Sequence, residues 1–441
     1  MDRFVDIYLN QWINDEFRKP LLLRGARQIG KTFSVRTLGK SFPHYVEINC
    51  EELQADCNLI FGKDLQAERI IKELSLLTGK VIVPGETLLF IDEIQAVPEA
   101  ILALRYFYEK VPQLHVIAAG SLLEFALEKV GLPVGRVDSV YMYPMTWLEF
   151  LLAKGERLLF DEIHRHDLNT PMPEAIHNKL LGLLGEYFAI GGMPEVVQHW
   201  IAQKDPFLCF KTQQNLLDNY RQDFEKYAKK HEVKYLEVLF DQIPRQLGQK
   251  FKFSAVPGEF RKRELQPCFE LLTKAGLIHP VYHTSAQGLP LGADAHLEKF
   301  KVLFLDIGFA QALLGLDLKA WFLNPTQAFV NQGAIVEAFV GQEILAYSHA
   351  FQKKMIYYWQ KESRTAQAEV DYILPIGNQI IPIEVKSGKT GRLKSLREYL
   401  NQHQNTAYSI RFSSQNYSSH EGLQSYPLYA VAKAIGMDWF F

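Results

Sequence analysis

The sequence predicts an α/β fold that starts on a parallel sheet, passes through a helical region and ends in a second α/β unit. Three observations predict it. Short apolar runs alternate with amphipathic stretches through the first third of the chain, a glycine-rich loop follows the first run directly, and a second group of strand signals returns towards the C-terminus. The first runs are Pro20–Arg24, Tyr45–Asn49, Leu88–Asp92 and His115–Ala119, nearly continuous in apolar residues, as strands covered on both faces are. Lys31–Leu38 and Glu99–Lys110 read as helices between them.

Four segments follow from the punctuation. Residues 1–150 carry the alternating pattern. Residues 151–230 turn helical, broken at Pro171, Pro173, Gly191-Gly192 and Pro194, and read as an extension or lid. Residues 231–330 give two helices, Val233–Leu247 and Phe260–Ala275, then a strand pair, Leu277–His283 and Lys301–Leu305, an order that suits a winged helix. Thr284–His296, rich in Gly, Ala and Pro, reads as the connecting loop. Residues 331–441 open with an apolar helix, Ala334–His349, continue with strand signals at Met355–Gln360, Glu369–Leu374 and Ile380–Val385, and add an amphipathic helix, Leu393–Gln402.

Composition excludes several classes. Over 441 residues, 48% are hydrophobic and 22% charged, which is ordinary for a globular chain and unlike a disordered or fibrous one. Forty-eight Lys and Arg against 50 Asp and Glu leave a formal charge of -2, so affinity for nucleic acid must come from local patches. Four cysteines, without CxxC or zinc-type spacing, predict neither a disulfide framework nor a structural zinc, and fit a reducing compartment. The N-terminus has no basic segment leading into an apolar core, and the most apolar stretch, Val116–Leu127, is shorter than the roughly 20 residues that cross a bilayer. A cytoplasmic protein with no membrane partner is expected.

Gly25-Ala26-Arg27-Gln28-Ile29-Gly30-Lys31-Thr32 satisfies GxxxxGK[ST] in full, after a strand and before a helix. Glycines let the backbone wrap closely around phosphates, N–H groups at the helix start face the anion, and Lys31 reaches the β and γ phosphates. Leu88–Glu93 gives four apolar residues and two acids at the exit of a second strand. This arrangement predicts ATP and Mg2+ as cofactors, with Thr32 and Asp92 on the metal and Glu93 orienting or deprotonating the attacking water. Ser121, after the fourth strand, is either a polar sensor of the γ phosphate or a turn serine. Arg136 either reaches a neighbouring subunit's nucleotide, which would need a homo-oligomer, or makes a surface ion pair.

These residues carry a resemblance. GARQIGKT, LLFIDEIQ, AAGSLLEF, VGRV, the segment Tyr143–Phe150 and Gly191–Glu195 together resemble the prokaryotic AAA-type ATPases that carry a DUF4143 C-terminal region, and Lys301–Gly308 resembles the start of that region. The resemblance runs in order over nearly the whole chain. It implies a P-loop AAA+ ATPase core, a winged-helix-like middle and a C-terminal α/β domain similar to the PD-(D/E)xK, restriction-endonuclease-like nucleases.

The C-terminal residues support the last point directly. Asp371, in a strand signal, and Glu384 and Lys386, in the next, are separated by a Gly377-Asn378 turn that would fold them into a hairpin. Two carboxylates beside a lysine can hold Mg2+ and activate water for phosphodiester cleavage. Glu337 or Glu343, on the preceding helix, would add a further carboxylate, which predicts Glu337, Asp371 and Glu384 as metal ligands. An ordinary solvated charge pair on a strand is the competing reading of Glu384 and Lys386.

Between Arg245 and Lys274 seven basic residues (Arg245, Lys250, Lys252, Arg261, Lys262, Arg263 and Lys274) face three acids, with Phe251, Phe253 and Phe260 interleaved. In a winged helix this stretch would meet a DNA backbone, although winged helices also contact proteins. The expected activity is therefore an ATPase that couples nucleotide turnover to DNA binding or processing. The alternatives are a nucleotide-switched protein-interaction module on an inactive nuclease-like scaffold, and a toxin-antitoxin or phage-defence component.

Overall fold

The structure, a computed structural model, describes residues 1–316, 318–361, 368–388 and 393–436. The four apolar runs form β1 (Leu21–Arg24), β2 (His44–Asn49), β3 (Thr87–Asp92) and β4 (His115–Ala119), joined by β5 (Asp138–Tyr141). All pair in parallel, in the order β2-β3-β4-β1-β5. Every residue of β3 and β4 is buried, which is why both read as unbroken apolar runs. At the sheet edge only Val140 of β5 is fully buried, so no apolar run marks that strand in the sequence.

Alternation along the strands divides the core. Leu21, Leu23, Phe90 and Ile117 face the helix Phe4–Ile13 and the helical region, whereas Leu22, Leu89, Ile91 and Val116 face the helix Pro98–Lys110. Each such side chain stabilises the fold by about 2 kcal/mol when it leaves water. The helical region consists of Trp147–Ala153, Arg157–Arg165, Glu174–Ile190, Pro194–Gln203 and Pro206–Tyr227, with Pro194 and Pro206 opening their helices where a missing N–H costs nothing. Gly191, at φ 75°, ends the third of these against Asp306, and a Cβ there would stand 2.1 Å from the Asp306 Oδ1.

A second sheet holds eight strands: β6 (Ile278–Thr284), β7 (Ala295–Phe304), β8 (Ile356–Gln360), β9 (Glu369–Ile376), β10 (Gln379–Lys386), β11 (Ser409–Ser413), β12 (Ser418–His420) and β13 (Leu423–Pro427). Their order is β12-β13-β11-β10-β9-β8-β6-β7. β9 and β10 form the expected hairpin through the turn at Gly377-Asn378, with Ile376 opposite Gln379. The expected strand pair is also present, as antiparallel β6 and β7, but it is not the free wing of a separate domain. β6 pairs in parallel with β8, placing Val281 opposite Ile356, so one sheet runs across the expected boundary at 330/331. Pairing removes an edge that would otherwise expose unpaired N–H and C=O groups. The helix expected over Val233–Leu247 stops at Gln242 and gives way to a 3-10 turn, Ile243–Gln246, which contains Pro244. Among the described residues, no helix is long and apolar enough to cross a membrane, and the four cysteines are buried and free.

Candidate functional site

Parallel pairing brings three chain segments out at one edge of the first sheet. The loop after β1, the acidic end of β3 and Ser121 after β4 all leave at the C-terminal ends of their strands, where open α/β sheets bind ligands. Gly25 and Gly30 adopt φ of 138° and 100°, and the helix Lys31–Gly39 starts directly after the second. Lys31 is buried, and its Nζ donates to the carbonyl oxygens of Gly25 at 2.9 Å and Ala26 at 2.7 Å. Burial pushes its ammonium down to about 8. No carboxylate lies within ion-pair distance of it among the described residues, and the more distant Glu93 and Asp92 charges oppose that fall without cancelling it.

Thr32 Oγ1 donates to Asp92 Oδ2 at 2.7 Å. Burial raises the Asp92 carboxyl above its ordinary value. A hydroxyl and a carboxylate placed together form the hard-oxygen donor set that suits Mg2+, so these two residues fit the expected metal. Glu93 follows in a left-handed conformation, φ 47°, which is strained for a residue with a side chain. One oxygen of its carboxylate, Oε2, accepts from Gln95 Nε2 at 2.5 Å and from Ser121 Oγ at 3.3 Å. Ser121 in turn accepts from Arg27 Nε at 3.3 Å. The expected residues Lys31, Thr32, Asp92, Glu93 and Ser121 are therefore brought together, and Gln95 joins them.

A cavity of about 840 Å³ opens over this edge, lined by Lys31, Thr32, Glu93, Pro194, Asn219 and Asp223 among others. Its roof is the helical region. Arg27 is ion-paired with Asp223 and, at 3.2 Å, with Glu51, while Lys226 reaches Glu51 at 2.8 Å and Tyr220 Oη donates to the Arg27 carbonyl oxygen at 2.5 Å. From below, buried Arg3 donates to the carbonyl oxygens of Ile29 at 2.6 Å and Tyr143 at 2.8 Å and pairs with Glu149 at 3.0 Å. Sequence pattern marks neither Arg3 nor Asp223, because their partners lie far along the chain. Arg136 is not among the residues lining the cavity. It pairs with Glu109 at 3.1 Å on the surface, the second of its two expected placements.

In the second sheet, Glu337 and Asp371 converge on a residue that pattern did not single out, while Glu384 and Lys386 pair with each other beside Asp371. Lys301 Nζ, on a side chain 3% exposed, lies 2.9 Å from Glu337, 2.5 Å from Glu369 and 3.7 Å from Asp371, and packs over the Tyr358 ring at 5.3 Å. Lys386 pairs with Glu384, and Asp371 Oδ2 accepts from the Val385 N–H at 2.8 Å. Burial, with Asp371 as a neighbour, pushes Glu384 up to about 8, and burial raises Glu337 to about 7 against the pull of Lys301. Glu384 Oε2 is buried without a partner. Among the described residues no group of three or more His, Cys, Asp or Glu side chains is arranged to hold a metal ion. Lysine ammoniums and a backbone amide contact oxygens of Glu337, Asp371 and Glu384, the three expected metal ligands. Glu343 belongs elsewhere, accepting from the Trp147 N–H at 3.1 Å.

In the basic stretch, Lys274 pairs with Glu128, whereas Arg245, Lys250, Lys252, Arg261, Lys262 and Arg263 are exposed and meet no carboxylate within ion-pair distance among the described residues. The interleaved aromatics are spent on packing. Phe251 is buried, stacked on Phe300 at 5.8 Å and tilted against Phe269 at 5.1 Å, and half-buried Phe253 closes on Phe269. None of this aromatic cluster offers a free stacking platform through Phe251.

Three family profiles match the chain: an AAA domain over residues 17–151, a domain of unknown function (DUF8612) over 181–320 and a domain of unknown function (DUF4143) over 332–431. The first spans the phosphate loop and the acidic end of β3. A search of curated proteins finds no match. Among solved structures, a Walker-type ATPase of Pyrococcus abyssi is similar at 16% identity and a TM-score of 0.45, over 71% of this chain and 95% of that one. A signal transduction ATPase with numerous domains and a tetratricopeptide repeat sensor, from Pyrococcus horikoshii, is similar at 14% identity and a TM-score of 0.27, over 78% of this chain and 48% of that one.

Proposed function

We propose that the protein binds ATP with Mg2+ in the cavity above the first sheet, hydrolyses it, and couples that cycle to contact with duplex DNA. The observation that carries the nucleotide reading is Lys31: a buried ammonium resting on two carbonyl groups of its own loop, beside an open cavity and with no carboxylate at ion-pair distance among the described residues. A polyphosphate would supply that direct contact.

The roles divide by position. Backbone N–H groups from Ala26 to Lys31 and the Lys31 ammonium bind the phosphates. Thr32 and Asp92 would hold Mg2+, which when bound neutralises charge shared between the β and γ phosphates. Glu93, fixed by Gln95 and Ser121, orients the attacking water and accepts its proton. Ser121 links that carboxylate to Arg27, so the proton acceptor and a loop cation share one hydrogen-bond chain.

Six exposed cations with no carboxylate at ion-pair distance among the described residues support the DNA reading, since affinity for a phosphate backbone grows with the number of Lys and Arg contacts. One observation favours the second reading, a nucleotide-switched protein-interaction module: the aromatic cluster around Phe251 is committed to the core and leaves no base-stacking surface there. ATP turnover measured with and without duplex DNA separates the two. Stimulation by DNA that disappears when Arg261, Lys262 and Arg263 are all replaced by alanine supports coupling. Turnover indifferent to DNA, with no binding at low salt, supports the protein module.

A further inference from the structure

We propose that Lys301 is the resident cation of the C-terminal carboxylate cluster, which makes the cluster a structural clasp closed to divalent metals. The inference rests on the second sheet and is independent of the nucleotide reading.

Lys301 comes from β7 at one end of the sheet and crosses the Tyr358 ring of β8 to reach Glu369 and Asp371 of β9, while Glu337 meets it from the helix Gly333–Ala346. An ammonium has three protons and no acceptor capacity, and three carboxylates surround this one. Two neighbouring oxygens are engaged as well. Asp371 Oδ2 takes the Val385 amide, and Glu384 takes Lys386, the lysine that in a cleaving site would face the reacting phosphate. Glu384 Oε2 is buried without a partner. Carboxylates already drawn onto two ammoniums and an amide are a poor match for Mg2+, which demands near-octahedral oxygen coordination. Driving a metal into the cluster would displace Lys301 and strand a buried ammonium, a costly exchange. The clasp instead ties one helix and two non-adjacent strands together through a single side chain.

The test uses the full chain without nucleotide and carries Asp92→Asn to keep metal off the first site. Melting temperature is measured with and without Mg2+ and Mn2+, and Mn2+ binding is read by electron paramagnetic resonance. The expected result is no metal-dependent shift and no bound Mn2+, with Asp371→Asn lowering the melting temperature equally in both conditions. Lys301→Met is expected to melt lower and to regain part of the loss in Mn2+, because its three carboxylates then face one another uncompensated. A metal-dependent rise in the Lys301 chain that vanishes in Asp371→Asn overturns the proposal. Should Lys301→Met fail to fold, the comparison between the Lys301 chain and Asp371→Asn decides alone.

Discussion

Arg27 of the phosphate loop is ion-paired with Asp223, 196 residues away on the helix Pro206–Tyr227, and both side chains line the nucleotide cavity. The pair joins the loop that would grip phosphate to the helical region above it. An anion entering the cavity competes with the Asp223 carboxylate for the same guanidinium. Asp223→Asn should therefore tighten ATP binding by about 1 kcal/mol, about five-fold, and loosen the helix Pro206–Tyr227 in hydrogen exchange. Equilibrium titration with a fluorescent ATP analogue checks the affinity. Weaker binding would mean that Asp223 positions Arg27 for the nucleotide and does not compete for it.

Lys31 sets a pH dependence. Burial holds its ammonium at about 8 in the free protein, and bound phosphates would raise that value. Below pH 8 the lysine is already charged and binding takes up no proton through it. Above pH 8 each binding event must protonate it, so ATP affinity falls by up to about tenfold per pH unit. Calorimetry at pH 7 and pH 9, in buffers of different ionisation enthalpy, should find proton uptake at the higher pH alone. Equal uptake at both would assign the linkage to another group.

Asp306 joins the two sheets' surroundings. Its buried carboxylate accepts from the Gly192 N–H at 2.6 Å and the Phe309 N–H at 3.1 Å, so it caps the helix Ile307–Leu314 and holds the loop leading to Pro194. Asp306→Ala leaves both amides without partners and should cost about 2–3 kcal/mol, read as a lower denaturation midpoint of the full chain. An unchanged midpoint would show that the two amides find water or new partners.

The basic surface has a quantitative signature. If Arg261, Lys262 and Arg263 each meet a phosphate, replacing all three by alanine should flatten the plot of log affinity against log salt by about 3. Duplex binding measured at several salt concentrations gives the slope directly. An unaltered slope would place the DNA contact, if any, elsewhere.

The residues legible in the sequence are those whose chemistry is local. Gly25 to Thr32 form one loop, and Asp92 and Glu93 end one apolar strand, so a few neighbouring letters specify each. Strand pairing then places Ser121 beside them. Arg3, Asp223 and Lys301 act through partners between 26 and 196 residues away, and no local period marks such contacts. β5 and the strands β11 to β13 escape for another reason: SIRFS, SSH and LQSYP are polar or short, and their placement is decided by neighbouring strands. The β6/β7 hairpin is legible as a hairpin, but its partner β8 begins more than fifty residues after β7 and reassigns the pair to the C-terminal sheet.

The central claim is that this cavity hydrolyses ATP through Glu93, and single-turnover phosphate release beside ATP binding tests it most directly. Glu93→Gln keeps the shape of the side chain and removes the proton acceptor. It should bind ATP about as tightly as the unaltered protein and release phosphate about a hundredfold more slowly, whereas Lys31→Ala should lose binding itself. Phosphate release from Glu93→Gln at the unaltered rate would contradict the account.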